Sequence, residues 1–111
     1  MRELLWRPRA HLDRESIALY LGCECNNPKV ARAAMGDIDK ALDFARRFPE
    51  AGRGFSMGND GEADYRRVLA GSYVVFYKYD AETLTVYRVL HQRQDIDTYA
   101  LMEFKRGEWG L

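Results

Sequence analysis

The segment Tyr73–Tyr79 constrains the fold of this chain more than any other. Its seven residues are almost all β-branched or aromatic, a composition typical of a central strand that is covered on both faces. Two further strand candidates flank it. These are Tyr65–Ala70, which precedes a tight turn at 70–72, and residues 84–90, which follow a turn at 80–83. The chain is therefore predicted to build its core on a sheet that contains these three strands.

Two helices are predicted ahead of these strands, after a short strand at 2–7. The first helix covers residues 10–21, and Pro8 suits its start because proline has no N–H to lose in the first turn. The second helix has Asn27 as its N-cap and Pro28 as its first residue, and Pro49 ends it. Its apolar residues recur at spacings of three and four, as on an amphipathic helix: Ala31, Ala34, Ile38, Leu42 and Ala45. The two helices are predicted to form a hairpin on the sheet.

The remaining segments complete the predicted fold. Residues 50–62 are glycine-rich and aperiodic and are predicted to be a plain loop, since no Gly-Lys-Ser/Thr follows that would make them a phosphate-binding loop. Residues 95–104 are predicted to form a short helix, and 105–111 a frayed tail. The prediction is one α+β domain over 1–111. It has an N-terminal strand and a helical hairpin packed on a mostly antiparallel sheet of about four strands, and a short C-terminal helix.

Charge and composition exclude several classes of protein. With 111 residues, 47% of them hydrophobic, the chain can bury one core and is not intrinsically disordered. Seventeen basic residues balance seventeen acidic ones, which argues against a protein that mainly grips nucleic-acid phosphates. The balance is uneven, because residues 66–93 carry five basic against two acidic residues and 94–111 carry two against four. A basic face on a neutral protein is therefore expected.

Cysteine usage and hydropathy bear on cofactors and location. Cys23 and Cys25 are the only cysteines and lie too close in sequence for an ordinary structural disulfide. No further cysteine or suitably spaced histidine completes a four-ligand site, so neither a metal nor another cofactor is expected. The N-terminal residues carry charges where a signal peptide is apolar, and no apolar run approaches ~18 residues. A cytoplasmic protein without a membrane segment is expected.

Four local motifs, in this order, resemble the RelE/ParE superfamily of bacterial toxin–antitoxin toxins. The first is the helix hairpin joined through Asn-Asn-Pro at 26–28, and the second is Pro-Glu-Ala-Gly-Arg at 49–53. The third is Arg-Val-Leu at 67–69 followed by Ser-Tyr-Val-Val-Phe-Tyr at 72–77, similar to the hairpin of an Arg-bearing and a Tyr-terminated strand in that family. The fourth and most specific is Tyr-Arg-Val-Leu-His-Gln-Arg-Gln-Asp at 87–95, which is similar to the ParE-like branch.

The resemblance implies a toxin that a cognate antitoxin neutralises in a hetero-oligomeric complex. ParE-like members inhibit DNA gyrase by binding and have no recognised catalytic centre. RelE-like members instead cut mRNA in the A site of the 70S ribosome, which is the alternative function for this chain. A third alternative is a non-toxic relative that only binds its antitoxin and regulates transcription. A ParE-like toxin that inhibits gyrase would be expected to cause growth arrest and to contribute to plasmid stabilization.

The residues favour the ParE-like branch, and no catalytic residue is expected. Cleavage of mRNA needs a base, cations for the phosphate and an acid for the leaving oxygen. Val74 stands where the family has an arginine in the central strand, and no lysine lies between Lys40 and Lys78. If the chain were nevertheless a nuclease, Arg93 would clamp the phosphate, Tyr99 would act as acid or base, and Arg67 would add positive charge.

The predicted target- or antitoxin-binding surface lies around the ends of the last strands. Arg67 and Arg88 are expected to project from adjacent strands and to share a face with Arg66. His91 is either a general base or a strand-end histidine bonded to a backbone carbonyl. Arg93 either belongs to the surface or forms an ion pair with Asp95 that caps the last helix. The full set is Arg66, Arg67, Arg88, His91, Arg93 and Tyr99, beside Ile96 and Phe104.

Overall fold

The computed structural model of the chain describes residues 1–55 and 65–93, and it describes the side chains of all of these except 53–55. Helices and strands follow one another as predicted, with a strand, two helices and then a run of strands. The elements are β1 (Glu3–Trp6), α1 (Pro8–Leu19), a π-helical turn (Tyr20–Glu24), α2 (Pro28–Arg47), a 3-10 turn (Pro49–Ala51), β2 (Arg53–Phe55), β3 (Tyr65–Ala70), β4 (Tyr73–Tyr79) and β5 (Thr83–His91).

The five strands form one sheet in the order β1-β5-β4-β3-β2. Strand β4 is central, with an antiparallel neighbour on each side, and β1 pairs with β5 in parallel. Four consecutive residues of β4, from Val74 to Tyr77, are buried, so both faces of this strand are covered. The predicted α+β fold with a mostly antiparallel sheet is confirmed.

The prediction of a plain loop over 50–62 was wrong for residues 50–55. Pro49–Ala51 form a 3-10 turn and Arg53–Phe55 pair with β3 in antiparallel register. This strand is short and contains a glycine, so nothing local favours it. It exists because β3 offers a pairing edge that lies more than ten residues away in the sequence.

Both helix starts are confirmed. Pro8 is the first residue of α1, and the side chain of Asn27 accepts a hydrogen bond from the Val30 N–H at 3.2 Å. The end of the first helix differs from the prediction, because the α-helix stops at Leu19 and continues as a π-helical turn. Asn26 then adopts a left-handed backbone conformation, with φ of +50°, and turns the chain into α2.

The helices pack on one face of the sheet. The predicted apolar face of α2 is confirmed, since four of its five residues are buried and Ala31 is half-buried. The core joins Ala10 of α1 and the α2 stripe to side chains from the three longest strands. The strand residues in this core are Ala70, Val75, Tyr77, Leu84, Val86 and Val89.

Several predictions lie outside the described residues. These are the rest of the loop at 56–62, the C-terminal helix at 95–104 with Ile96, Tyr99 and Phe104, and the tail at 105–111. Within the described ranges no helix is long and apolar enough to cross a membrane. The same ranges contain no group of three or more His, Cys, Asp or Glu side chains placed to hold a metal ion.

Candidate partner-binding surface at the end of strand β5

On the side away from β4, the second half of β5 is held by a helix side chain rather than by a described strand. Strand β1 pairs with β5 only as far as Val86. Beyond that point α1 takes the place of β1, beginning where the Arg7 N–H donates to the Val86 carbonyl at 2.9 Å. One turn and a half further along α1, the carboxylate of Asp13 accepts the Val89 N–H at 3.0 Å. Asp13 thereby pairs a backbone donor that a neighbouring strand would otherwise satisfy.

Arg88 completes this arrangement as the partner of Asp13. Its Nε and Nη2 donate to the two carboxylate oxygens at 2.7 and 3.1 Å, a bidentate geometry that is among the strongest in proteins. The two side chains are 4% and 13% exposed. The prediction that Arg88 belongs to an exposed basic face was therefore wrong. Its guanidinium is paired inside the molecule with a carboxylate of α1.

Arg66 and Arg67 do not share one face, because consecutive strand residues point to opposite sides of a sheet. Arg66 donates from Nη1 to the Gly52 carbonyl at 2.9 Å, and its guanidinium lies over the ring of Tyr79. Arg67 lines a cavity of about 450 Å³, together with Leu69, Gln92 and other residues. Strand β4 also separates β3 from β5. The predicted adjacency of Arg67 and Arg88 was wrong for that reason.

The cavity beside Arg67 is lined by residues of β3, by Val74 of β4 and by Gln92 of the turn after β5, among others. Gln92 reaches it because the turn after β5 is tied to the β3–β4 turn by two hydrogen bonds. The Gln92 N–H donates to the Ser72 carbonyl at 3.0 Å, and its side-chain amide donates to the Gly71 carbonyl at 2.6 Å. The structure thus brings Arg67 of the predicted set close to the chain segment that carries His91 and Arg93.

His91 and Arg93 are joined by a hydrogen bond from the Arg93 N–H to Nδ1 of His91, at 3.0 Å. In this bond Nδ1 of the imidazole is the acceptor. The ring also meets Tyr73 edge-on, with centroids 5.3 Å apart. Arg93 is exposed. The bonding of His91 thus fixes the turn that presents Arg93, while Asp95 lies outside the described residues.

A cleft of about 320 Å³ separates α1 from this end of β5. Ser16, Tyr20, Tyr73 and His91 are among its lining residues. Burial raises the pKa of Tyr73, so its phenol stays protonated near neutral pH and can donate a hydrogen bond. The described groups are therefore suited to bind and orient a partner.

Asp13 and Tyr73 belong to this site, yet the predicted set omitted both. A signal for Asp13 was present, since it lies three residues after Ala10 and four before Ile17, on the helical stripe that faces the core. A carboxylate on a buried stripe indicates a buried partner. Which strand residue that partner is depends on the tertiary structure.

Comparison with known proteins gives concordant matches. Residues 4–96 match the family model described as the ParE toxin of the type II toxin–antitoxin system, parDE. Toxin ParE1 of Mycobacterium tuberculosis, in strains CDC 1551 / Oshkosh and ATCC 25618 / H37Rv, is 38% identical over 68 residues. That match covers 60% of this chain and 66% of the relative, which is just under two thirds of its length.

The fold also has a solved counterpart. The structure titled "Chromosomal ParDE TA system from P. aeruginosa" superposes with a TM-score of 0.60 at 17% identity, and the match covers 82% of this chain and 96% of that one. At this identity the likeness concerns the fold alone. The family model, by contrast, spans most of the sequence and confirms the resemblance of the 87–95 motif to the ParE-like branch. The chain belongs to the ParE family of toxins of type II toxin–antitoxin systems.

Proposed function

We propose that this chain is a toxin that inhibits DNA gyrase by binding to it and that a cognate antitoxin neutralises it. The observation that carries the proposal is the match of residues 4–96 to the ParE toxin family model. Inhibition of gyrase is what the resemblance to ParE-like toxins implies. The toxin acts in this proposal in the cytoplasm, where its target and its antitoxin are found.

The environment of Val74 supports gyrase over the ribosome as the target. The nuclease alternative needs a cation on the central strand to meet the crowded phosphate charge. Val74 occupies the position at which RelE-like toxins carry arginine, and it is 1% exposed. A buried valine offers a phosphate neither charge nor a hydrogen bond. The acid or base of that alternative, Tyr99, lies outside the described residues.

Exposed apolar side chains support an antitoxin partner. Large hydrophobic residues are exposed on both helices and on β3, and such surface on a small protein commonly marks a protein–protein interface. They include Leu12, Leu19, Tyr20, Val30, Phe44, Phe48 and Leu69. A partner that wraps around the helical hairpin would remove this surface from water and stabilise the complex.

The target-binding surface in this proposal is the turn after β5 together with the cavity beside it. Arg93 is its exposed cation, Arg67 lines the cavity, and His91 fixes the turn. Arg66 and Arg88 are assigned structural roles instead, because each is engaged with a neighbouring element of the fold. Tyr99 remains in the proposed set on sequence grounds.

A paired assay tests the proposal with the purified toxin. One arm measures gyrase supercoiling and traps cleaved DNA complexes, and the other measures cleavage of mRNA on programmed ribosomes. We expect inhibition of gyrase with intact mRNA, and that the antitoxin restores supercoiling. Cleavage of mRNA at the A site with active gyrase would refute the proposal and assign chemistry to Arg93 and Tyr99. If the toxin affects neither target and does not arrest growth, the remaining alternative is that the chain is a non-toxic relative that only binds its antitoxin.

Matched variants test which residues belong to the target-binding surface. Arg93→Ala is expected to raise the concentration of toxin for half-inhibition about tenfold, since a charged contact at an interface typically contributes about 1.4 kcal/mol or more. Arg47→Ala is the control. It removes one exposed arginine, 58% exposed on α2, and should change the value less than about twofold. Wild-type inhibition by Arg93→Ala would remove Arg93 from the site. Tyr99→Phe, which removes only the hydroxyl, should matter strongly only for a nuclease.

A further inference from the structure

The turn that follows β5 is attached to the rest of the fold through Gln92. The register of β4 and β5 ends at the pair of Tyr73 and His91, so the strand ladder does not hold the residues that follow. Gln92 holds them with two donors instead. Its N–H donates to the Ser72 carbonyl at 3.0 Å, and its Nε2 donates to the Gly71 carbonyl at 2.6 Å. Because a backbone and a side-chain donor bind adjacent carbonyls, Gln92 fixes both the position and the orientation of this turn.

The two carbonyls that Gln92 binds belong to a well-held part of the fold. They lie in the tight turn between β3 and β4, where Gly71 has a φ of +62°, a conformation that suits glycine. Helix α2 packs closely against this turn, since a Cβ at Gly71 would overlap the carboxylate of Asp37. The strands on both sides of the turn are paired from Ala70 and Tyr73 onwards. Gln92 therefore ties the end of β5 to an anchor that a helix and a hairpin both hold.

Arg93 depends on this attachment, because it is the next residue along the chain. It is exposed, and its N–H donates to Nδ1 of His91 at 3.0 Å. The backbone around Gln92 is thus held on the protein while the Arg93 side chain faces solvent. An exposed side chain binds a partner more tightly when its backbone is already ordered, since less conformational entropy is lost on binding. Gln92 also lines the cavity beside Arg67, so it adjoins both arginines of the target-binding surface.

We propose that Gln92 is a positioning residue of the target-binding surface. Its side-chain amide holds the turn after β5 on the β3–β4 turn and thereby fixes where Arg93 meets the target. This role rests on the proposed function, in which Arg93 contacts the target and Gln92 does not. The effect of Gln92 on inhibition should therefore require the Arg93 side chain, whereas its effect on the turn should be measurable in the toxin alone.

Amide hydrogen exchange of the purified full chain, corrected for intrinsic rates, measures the tie without gyrase. Gln92→Met keeps the side-chain length and removes the donor, so the amide of residue 92 should exchange about fivefold faster, as for one lost hydrogen bond. Gln92→Lys restores a donor and should return the rate to within about twofold of the wild type. The Asp80 amide, which donates to the Thr83 carbonyl at the other end of the β4–β5 hairpin, is the internal control. Equal protection in the wild type and Gln92→Met, or no rescue by Gln92→Lys, would refute the role of the donor.

A double-mutant cycle tests whether Gln92 acts through Arg93. Gln92→Met should raise the toxin concentration for half-inhibition of gyrase about fivefold, but less than about twofold when Arg93→Ala is already present. The matched cycle uses Arg47→Ala, at an exposed arginine of α2, and there the effect of Gln92→Met should stay at about fivefold. A fivefold effect that persists without the Arg93 side chain would overturn the positioning role, because Gln92 would then act on the target or on the whole fold. Wild-type inhibition by Gln92→Met would overturn it as well.

The exchange experiment and the cycle separate this role from the proposed function. If the wild-type chain does not inhibit gyrase, the proposed function fails, and the exchange rates still show whether Gln92 holds the turn. If the wild-type chain inhibits gyrase but the cycle shows no coupling, the proposed function stands and the positioning role is overturned. Gln92→Asn keeps the amide on a side chain that is one methylene shorter. It should match Gln92→Met in both measurements, and it replaces that variant if the apolar side chain impairs folding.

Discussion

Asp13 carries the connection between α1 and the outer half of β5, and its replacement by alanine tests how that half is held. The change leaves the Arg88 guanidinium in a site where it is 4% exposed, and it leaves the Val89 N–H without its acceptor. Breaking a buried ion pair from one side typically costs about 3–5 kcal/mol of folding free energy. We expect Asp13→Ala to fall in that range. Asp13→Asn, which keeps a side-chain oxygen for one of the donors, should cost about 1.5–3 kcal/mol.

Equilibrium unfolding of the toxin in urea, monitored by far-UV circular dichroism, measures the loss. The matched control is Asp39→Ala, which removes an exposed carboxylate, 62% exposed, from its pairing with Arg14 at 3.1 Å. Exposed pairs contribute about 0–1 kcal/mol, so the control should lie within that range. The two variants remove the same side chain from a helix and differ mainly in burial. Their difference therefore reports the cost of removing the Asp13 carboxylate from beside the buried Arg88.

A double variant separates the loss of the Asp13–Arg88 ion pair from the cost of keeping the Arg88 charge buried without the Asp13 carboxylate. Arg88→Met with Asp13→Leu removes both charges and keeps apolar volume, which is often close to neutral for a buried pair. We expect the double variant to be more stable than Asp13→Ala, with a remaining loss of about 1–3 kcal/mol from the unpaired Val89 N–H. An Asp13→Ala variant within 1 kcal/mol of the wild type would refute the reasoning, since it would mean that water reaches Arg88 readily.

Four further outcomes are expected. Gly52→Ala should destabilise the fold by about 1–3 kcal/mol, because the new Cβ would overlap the hydroxyl of Tyr77. Gly36→Ala, whose new Cβ meets no atom within 4 Å, should instead stabilise α2 by up to about 1 kcal/mol, and thermal unfolding measures both glycine variants. Asn27→Ala removes the N-cap of α2 and should cost about 0.5–2 kcal/mol, measured by chemical denaturation. Hydrogen bonds, first of all from the Glu82 N–H, hold the pKa of Asp80 below its ordinary value of 3.8, so the contribution of Asp80 to stability is present above that value and is lost as the pH falls through the lower folded pKa. An NMR titration of the Asp80 carboxyl with a midpoint at or above 3.8 would contradict this.

The strands and helices that were predicted correctly are those with a strong local signal. The run at Tyr73–Tyr79 has a composition that suits only a covered strand, and the Asn27-Pro28 pair fixes a helix start through capping and a missing N–H. The short strand β2 has no such signal, and its formation depends on the edge that β3 provides. The π-helical turn at Tyr20–Glu24 was also not predicted, since periodicity alone did not separate it from the α-helix that it continues.

The sequence by itself determined the α+β class, the order of the two helices and of every described strand except β2, and the motif that places the chain in the ParE family. These depend on periodicity, capping and residue identity, which act over a few positions. Only the tertiary structure decided which arginines belong to a surface. Arg66, Arg67 and Arg88 carry the same charge, yet the central position of β4 separates the two arginines of β3 from Arg88, and Asp13 draws Arg88 into the interior. The reason is physical: a buried charge must be paired, and its partner here lies 75 residues away in the sequence.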